Sequence, residues 1–256
     1  MVLFVNQPFT KIAGVEVPKV MVGSSPFTGA GQFGWRAMIY AEKFLGNPEN
    51  MVKIYVRALK LGITGFNVLS VEKVVDALLE AQRRTKVKPF VFATCGMWGF
   101  ARFWKEYEVV RKAAPTLVAL HASMVDREAS SRTSISKLSS IVSQLKALGH
   151  VVGVATHIPG NTIAALEQAS LDVDFYFAPI NKLGEFMEPD PRMTFEVLKK
   201  ATKPIIAKKC LAAGKLKLKE ALDFVLKEFK ASAAVVGVAS EEEVEELAEY
   251  AFSLNL

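Results

Sequence analysis

Cys95, His121, His157 and Cys210 carry most of the sulfur and imidazole donors in a 256-residue chain that holds only two cysteines and three histidines. Each closes a short apolar run: VFATC, LVALH, VVGVATH and PIIAKKC. Thiolates and neutral imidazoles around one opening have the softness that Zn2+ or another divalent transition metal prefers, and three ligands with an open position suit catalysis. Such a metal lowers the pKa of a bound water to about 7 or polarises a carbonyl. The leading expectation is therefore metal-assisted hydrolysis or lyase chemistry, with Cys95, His121, His157 and Cys210 as ligands. A plainer role stays open, because buried cysteines commonly act as small hydrophobes and histidines also bind substrate or backbone. His150 enters its apolar run from the opposite end and is expected to be inert.

Other polar groups sit at the ends of such runs. Asn67 and Asn181 can donate to or accept from a substrate, and Lys208-Lys209 end the seventh run. Side chains alternate along a strand, so one lysine is expected inward and the other toward the helices. An inward lysine holds an anion, or forms a Schiff base if a dry pocket lowers its pKa. The catalytic candidates are His121, Asn67, Asn181 and Lys209. Asp126 and Arg127 read as a helix-start cap and a surface charge, and Glu185 as a general base or a solvated loop carboxylate. Gly29 to Gly34 satisfies GxGxxG but begins several residues past its apolar run, and no acid ends the second run. It reads as a lid rather than a dinucleotide turn.

These residues need a scaffold that gathers them. Apolar runs at Val20–Ser24, Gly65–Leu69, Phe90–Thr94, Leu117–His121, Val151–Thr156, Asp174–Pro179, Pro204–Lys208 and Ala234–Ala239 have strand length and near-continuous hydrophobicity. That is the signature of parallel strands covered on both faces. Amphipathic stretches alternate with them, at 50–61, 71–85, 137–148, 162–169, 194–200, 217–229 and 241–252. Gly62 and Gly149 follow leucines as left-handed helix stops. Ser240 caps the last helix, with Glu241 to Glu243 in its first turn. Eight alternating units predict a (β/α)8 TIM barrel, with an open doubly wound sheet as the rival. A hairpin over 9–17 is placed to cap the barrel bottom, and the whole of 1–256 reads as a single barrel domain.

The order of these blocks resembles the aldo-keto reductases. PFTKIAGVEVPKV, VGSSPFTG, VRALKLGITGFN, LVALHA, GVATHIPG, APIN, IIAKKCLAAGKL and AAVVGVASEEEVEEL follow one another as that family's hairpin, strands and final helix do. The resemblance implies a barrel and a tetrad of Asp, Tyr, Lys and His. By pattern Asn67 falls where the Asp belongs, Glu72 near the Tyr and Cys95 where the Lys belongs, and only His121 matches. The family's nicotinamide contacts also depart, with Ala155-Thr156 in place of a Ser-Asn pair and Phe177 in place of a Gln. Three glutamates after Ser240 would repel a 2′-phosphate. The resemblance thus favours the fold over NAD(P) use. An NAD(P)-linked reductase with an altered proton donor is the second expectation, and a non-catalytic ligand-binding barrel the third.

Composition narrows the partners. The net charge of +6 comes from 32 basic residues scattered among 26 acids, with no arginine-rich run, so no nucleic-acid partner is expected. Apolar runs far short of about 20 residues predict no membrane span. The opening MVLFVNQPFTKIAGVEV lacks the basic start and cleavage site of a signal peptide, which points to a cytoplasmic enzyme with reduced thiols and a small-molecule substrate. A homo-oligomer is left open.

Overall fold

The computed structural model describes residues 7–129 and 132–254, with the backbone only at 132–134; residues 1–6, which open the N-terminal stretch read above, lie outside it. An antiparallel hairpin, β1 (Phe9–Ile12) and β2 (Val15–Pro18), precedes eight parallel strands. These are β3 (Val20–Gly23), β4 (Gly65–Leu69), β5 (Phe90–Cys95), β6 (Leu117–Leu120), β7 (Val151–Ala155), β8 (Phe175–Pro179), β9 (Ile205–Lys208) and β10 (Ala233–Gly237). Strand β10 pairs with both β9 and β3, so the sheet closes. This is the (β/α)8 barrel, and the open-sheet rival is excluded.

Helices α1 (Arg36–Leu45), α2 (Glu49–Lys60), α3 (Glu72–Thr85), α4 (Phe103–Val110), α5 (Ala122–Glu128), α6 (Arg132–Ala147), α7 (Pro159–Gln168), α8 (Pro191–Lys200), α9 (Leu218–Leu222) and α10 (Glu241–Ser253) wrap the sheet. Gly62 and Gly149 adopt φ of 90° and 89°, the left-handed stops expected of them. The helix expected over 217–229 is shorter, because the ladder widens to a π-type turn from Asp223 to Glu228. Two helices escape the periodicity reading, α4 and α5, each of eight residues or fewer and too short for a repeating stripe.

The apolar residues form two separate cores. One packs the barrel wall against the helices and includes Val20, Val22, Phe66, Val68, Val118, Leu120, Val152 and Val154. The other fills the barrel with Met21, Phe92, Leu117, Ala119, Phe175, Phe177 and Ile206, and the hairpin adds Ile12 and Val17 at its lower end. Alternate residues of each strand thus belong to different cores. Gly65 is required at the lower end, since a Cβ there would stand 2.6 Å from Met21 and 3.0 Å from Pro18 at the end of the hairpin. Phe92 stands edge-on to both Phe175 and Phe177, at 5.4 and 4.9 Å between centroids, within the barrel core.

Candidate functional site

A cavity of about 730 Å³ opens at the C-terminal ends of the strands. Its wall is built by the inward parity of the barrel. Asn67, Thr94, His121, Ala155, His157, Phe177, Lys208 and Val235 all reach it from successive strands. The segment after β3 forms the roof through Gly31, Gln32, Phe33, Arg36 and Tyr40. The GxGxxG stretch is thus a cover, as its distance from the strand suggested. Gly29 lets it fold back, because a Cβ at its φ of 61° would lie 2.5 Å from the Ala37 carbonyl oxygen. Arg36 ties the roof to the loop after β9 by donating to the Ala213 carbonyl oxygen.

His121 is the N-cap of α5. Its Nδ1 accepts the Ser123 N–H at 3.1 Å, which leaves Nε2 as the proton-bearing nitrogen of the neutral ring. Ser123 Oγ lies 2.8 Å from the same Nδ1 and 2.9 Å from the Met97 carbonyl oxygen, and its one proton serves either. Burial, reinforced by the nearby Lys208, pushes His121 down to about 4. His157 stands edge-on to it with centroids 5.8 Å apart. Burial and the charges of Lys208, Lys209 and His121 press His157 down to about 2. Both rings are neutral near pH 7.

Lys208 extends into the cavity with Nζ 5.2 Å from the centroid of Phe177. Burial, aided by the charge of Lys209 and opposed by Asp126, lowers it to about 7. Lys209 reaches the cavity too, although alternation expects only one of the two lysines there. Its φ of 56° ends the strand geometry, and its Nζ lies 4.7 Å from the centroid of Phe186. Burial lowers its pKa as well.

The four proposed metal ligands do not form a site. Cys95 belongs to the helix-facing core, one residue out of phase with the inward Thr94. Burial and the charge of Glu106 hold its thiol above the ordinary range. Cys210 touches the cavity but is buried, its Sγ 3.9 Å from the Val235 carbonyl oxygen and its pKa pushed up to about 12 by burial. Both thiols are free. Among the described residues no three His, Cys, Asp or Glu side chains converge as metal ligands.

The asparagines divide. Asn67 is buried at the cavity wall and donates through Nδ2 to the Phe92 carbonyl oxygen and Thr94 Oγ1, both at 3.1 Å. Asn181 closes a turn on itself: Nδ2 donates to the Glu185 carbonyl oxygen and Oδ1 accepts the Glu185 N–H. It is fully buried and does not line the cavity. Glu185 pairs with Lys215 at 2.6 Å. His150 is tied to Tyr107 and the Pro115 carbonyl oxygen at the far end of β7, away from the cavity.

Two carboxylates that shape the mouth were missed or undervalued in the sequence. Asp126 is not the helix-start cap it was read as, since it lies within α5, whose N-cap is His121. It accepts from Thr156 Oγ1, from Thr162 Oγ1 at 2.8 Å and from the His157 N–H at 2.7 Å, fixing the turn that presents His157. Glu106 is buried and accepts the N–H groups of Gly96, Met97 and Trp98 at 2.8 to 2.9 Å and the Ser70 hydroxyl at 2.6 Å. It shares the buried face of α4 with Phe103, Tyr107 and Val110. A carboxylate on an apolar helical face was the legible signal. Trp98 is exposed, and its neighbour Met97 lines the cavity.

Solved structures that match this chain include aldo-keto reductases. An aldo/keto reductase from Brucella melitensis superposes with a TM-score of 0.68 over 98% of this chain and 95% of that one, at 12% identity. The fold of this chain is therefore aldo-keto-reductase-like.
The glycerol dehydrogenase from Gluconobacter oxydans gives 0.67 over 94% and 89%, at 14% identity. A thermostable aldo-keto reductase solved with the inhibitor epalrestat gives 0.62 over 97% and 95%, at 15% identity. No protein-family model matches the chain, and no curated protein does. The expectation of a metal-dependent hydrolase or lyase is thereby overturned: the structural relatives are oxidoreductases, and the sulfur and imidazole donors are split between the two faces of the barrel wall. No helix among the described residues is long and apolar enough to cross a membrane.

Proposed function

We propose that this chain is an NAD(P)-linked oxidoreductase acting on a small carbonyl or hydroxyl compound, a single catalytic barrel whose proton donor differs from that of its structural relatives. The supporting observation is the pairing of His121 and Lys208 in one cavity at the mouth of a reductase-like barrel.

The residues present fit a nicotinamide dinucleotide. The cavity falls within the roughly 300–1,000 Å³ of small-molecule and cofactor sites. Phe177 and Val235 offer apolar surface, and Arg36 and Lys209 offer positive charge. When bound, the cofactor would supply or take up a hydride. The N-terminus of α10 is already satisfied: the Ala239 N–H donates to Glu243 Oε2 at 2.7 Å and the Glu243 N–H to Ser240 Oγ at 3.2 Å. With Glu241 and Glu242 beside them, this end favours NAD over NADP.

The chain's own groups divide the remaining work. Neutral His121 donates from Nε2 to a carbonyl oxygen and polarises it without carrying charge itself, as neutral imidazoles do elsewhere. Lys208, titrating near neutrality, hands a proton to that oxygen. The residues at the other tetrad positions are placed for neither task. Glu72 pairs with Lys112 on the outside of α3, and Cys95 faces the helices. Asn67 orients Thr94 at the cavity wall.

Nicotinamide binding by calorimetry, followed by turnover on a panel of aldehydes, ketones and alcohols, tests the reading. NAD(H) binding with turnover lost in His121→Phe and Lys208→Met supports it. Failure of both NAD(H) and NADP(H) to bind at millimolar concentration overturns it in favour of a ligand-binding barrel.

A further inference from the structure

Two adjacent lysines, Lys208 and Lys209, line one cavity, one along the ring of Phe177 and the other along the ring of Phe186. Among the described residues neither makes a hydrogen bond or an ion pair, whereas other lysines and arginines are closed by carboxylates such as Glu72, Glu185 and Glu220. A lysine partly withdrawn from water beside a second cation and an aromatic wall is the setting in which an amine loses its proton and becomes nucleophilic. Burial and the neighbouring charge act on Lys208 in that direction.

We propose that Lys208 forms a covalent imine with a small carbonyl compound bearing an anionic group, which Lys209 and Arg36 hold. The step needs no oxidant. The neutral Nζ adds to the carbonyl carbon, a C–N bond forms and the C=O π pair moves to oxygen. Both protons of Nζ pass to that oxygen, the C–O bond breaks, water departs and the nitrogen pair closes the C=N bond. His121 Nε2–H stabilises the oxygen as it gains charge. The inference rests on the proposed function only in placing a carbonyl compound in this cavity.

The test omits nicotinamide, so its outcome is independent of redox activity. The full chain is incubated with pyruvate, glyceraldehyde 3-phosphate or neutral propanal, reduced with sodium cyanoborohydride, and read by intact mass and peptide mapping. The expected result is one stoichiometric adduct on Lys208 with pyruvate or the phosphorylated aldehyde, and its loss in Lys208→Arg. Preference for pyruvate assigns a carboxylate, and preference for the phosphorylated aldehyde a phosphate. Equal trapping of propanal overturns the anionic part. Lys209→Met is expected to shift the pH profile of trapping upward, because Lys209 is the cation beside Lys208, while His121, His157 and Asp126 face it unchanged. An adduct spread over surface lysines in the wild-type chain overturns the proposal, whether or not Lys208→Arg folds. Trapping without nicotinamide binding would leave the imine standing and remove the reductase.

Discussion

His121 and His157 meet edge to face across the barrel mouth, 5.8 Å between centroids with planes at 80°, and burial keeps both rings uncharged. Two imidazoles at the ends of neighbouring strands invite a metal. Here the third donor points elsewhere, and the rings serve as a neutral, polarisable wall.

Protonation of these rings opposes folding. Each has a folded pKa below its ordinary value of 6.5, so the unfolded chain binds more protons between that value and about 4. Stability is full above about pH 6.5 and falls as pH drops toward 4. Melting temperature against pH should show this decline, and His121→Phe should flatten it. An unchanged slope would refute the assignment.

The thiols should be inert. Cys95 and Cys210 are buried and held in the protonated form, so a disulfide-exchange reagent should label neither in the native state and both in denaturant. Added Zn2+ should leave the melting temperature unchanged.

Glu106 holds the loop after β5 through three N–H donors and ties it to Ser70, after β4, through a fourth. Glu106→Ala should cost about 2–4 kcal/mol in denaturant unfolding, since it leaves buried N–H groups without an acceptor. A loss below half a kcal/mol would mean that the loop finds other partners.

Asp126→Asn should loosen the turn that carries His157, because an amide cannot accept from Thr156, Thr162 and the His157 N–H together. A destabilisation of roughly 1–3 kcal/mol is expected. Faster amide exchange confined to the β7–α7 turn is the diagnostic.

The charge at α10 should set nucleotide choice. Replacing exposed Glu241 and Glu242 with glutamine should tighten NADP relative to NAD by roughly two- to five-fold per charge removed. Calorimetry with both nucleotides reads the ratio, and no change would place the 2′-hydroxyl elsewhere.

Hydrophobic runs of strand length, alternating with amphipathic stretches, were enough to specify eight parallel strands, while the pairing of β10 with β3 decided closure over an open sheet. A parallel strand buried on both faces must be apolar throughout, and nothing local competes with that pattern. The glycine stops and the Ser240 cap were legible because one backbone conformation demands them.

What the sequence by itself determined, then, was which residues end the strands. Which way they face was settled only in the folded barrel. A strand apolar on both sides carries no readable phase, so VFATC does not say whether Thr94 or Cys95 looks inward. Closure sets that phase, sending Phe92 and Thr94 inside and Cys95 to the helices. The left-handed turn at Lys209, which brings a second lysine to the mouth, also has no local cause in its residue type, since only the surrounding packing holds a lysine at positive φ.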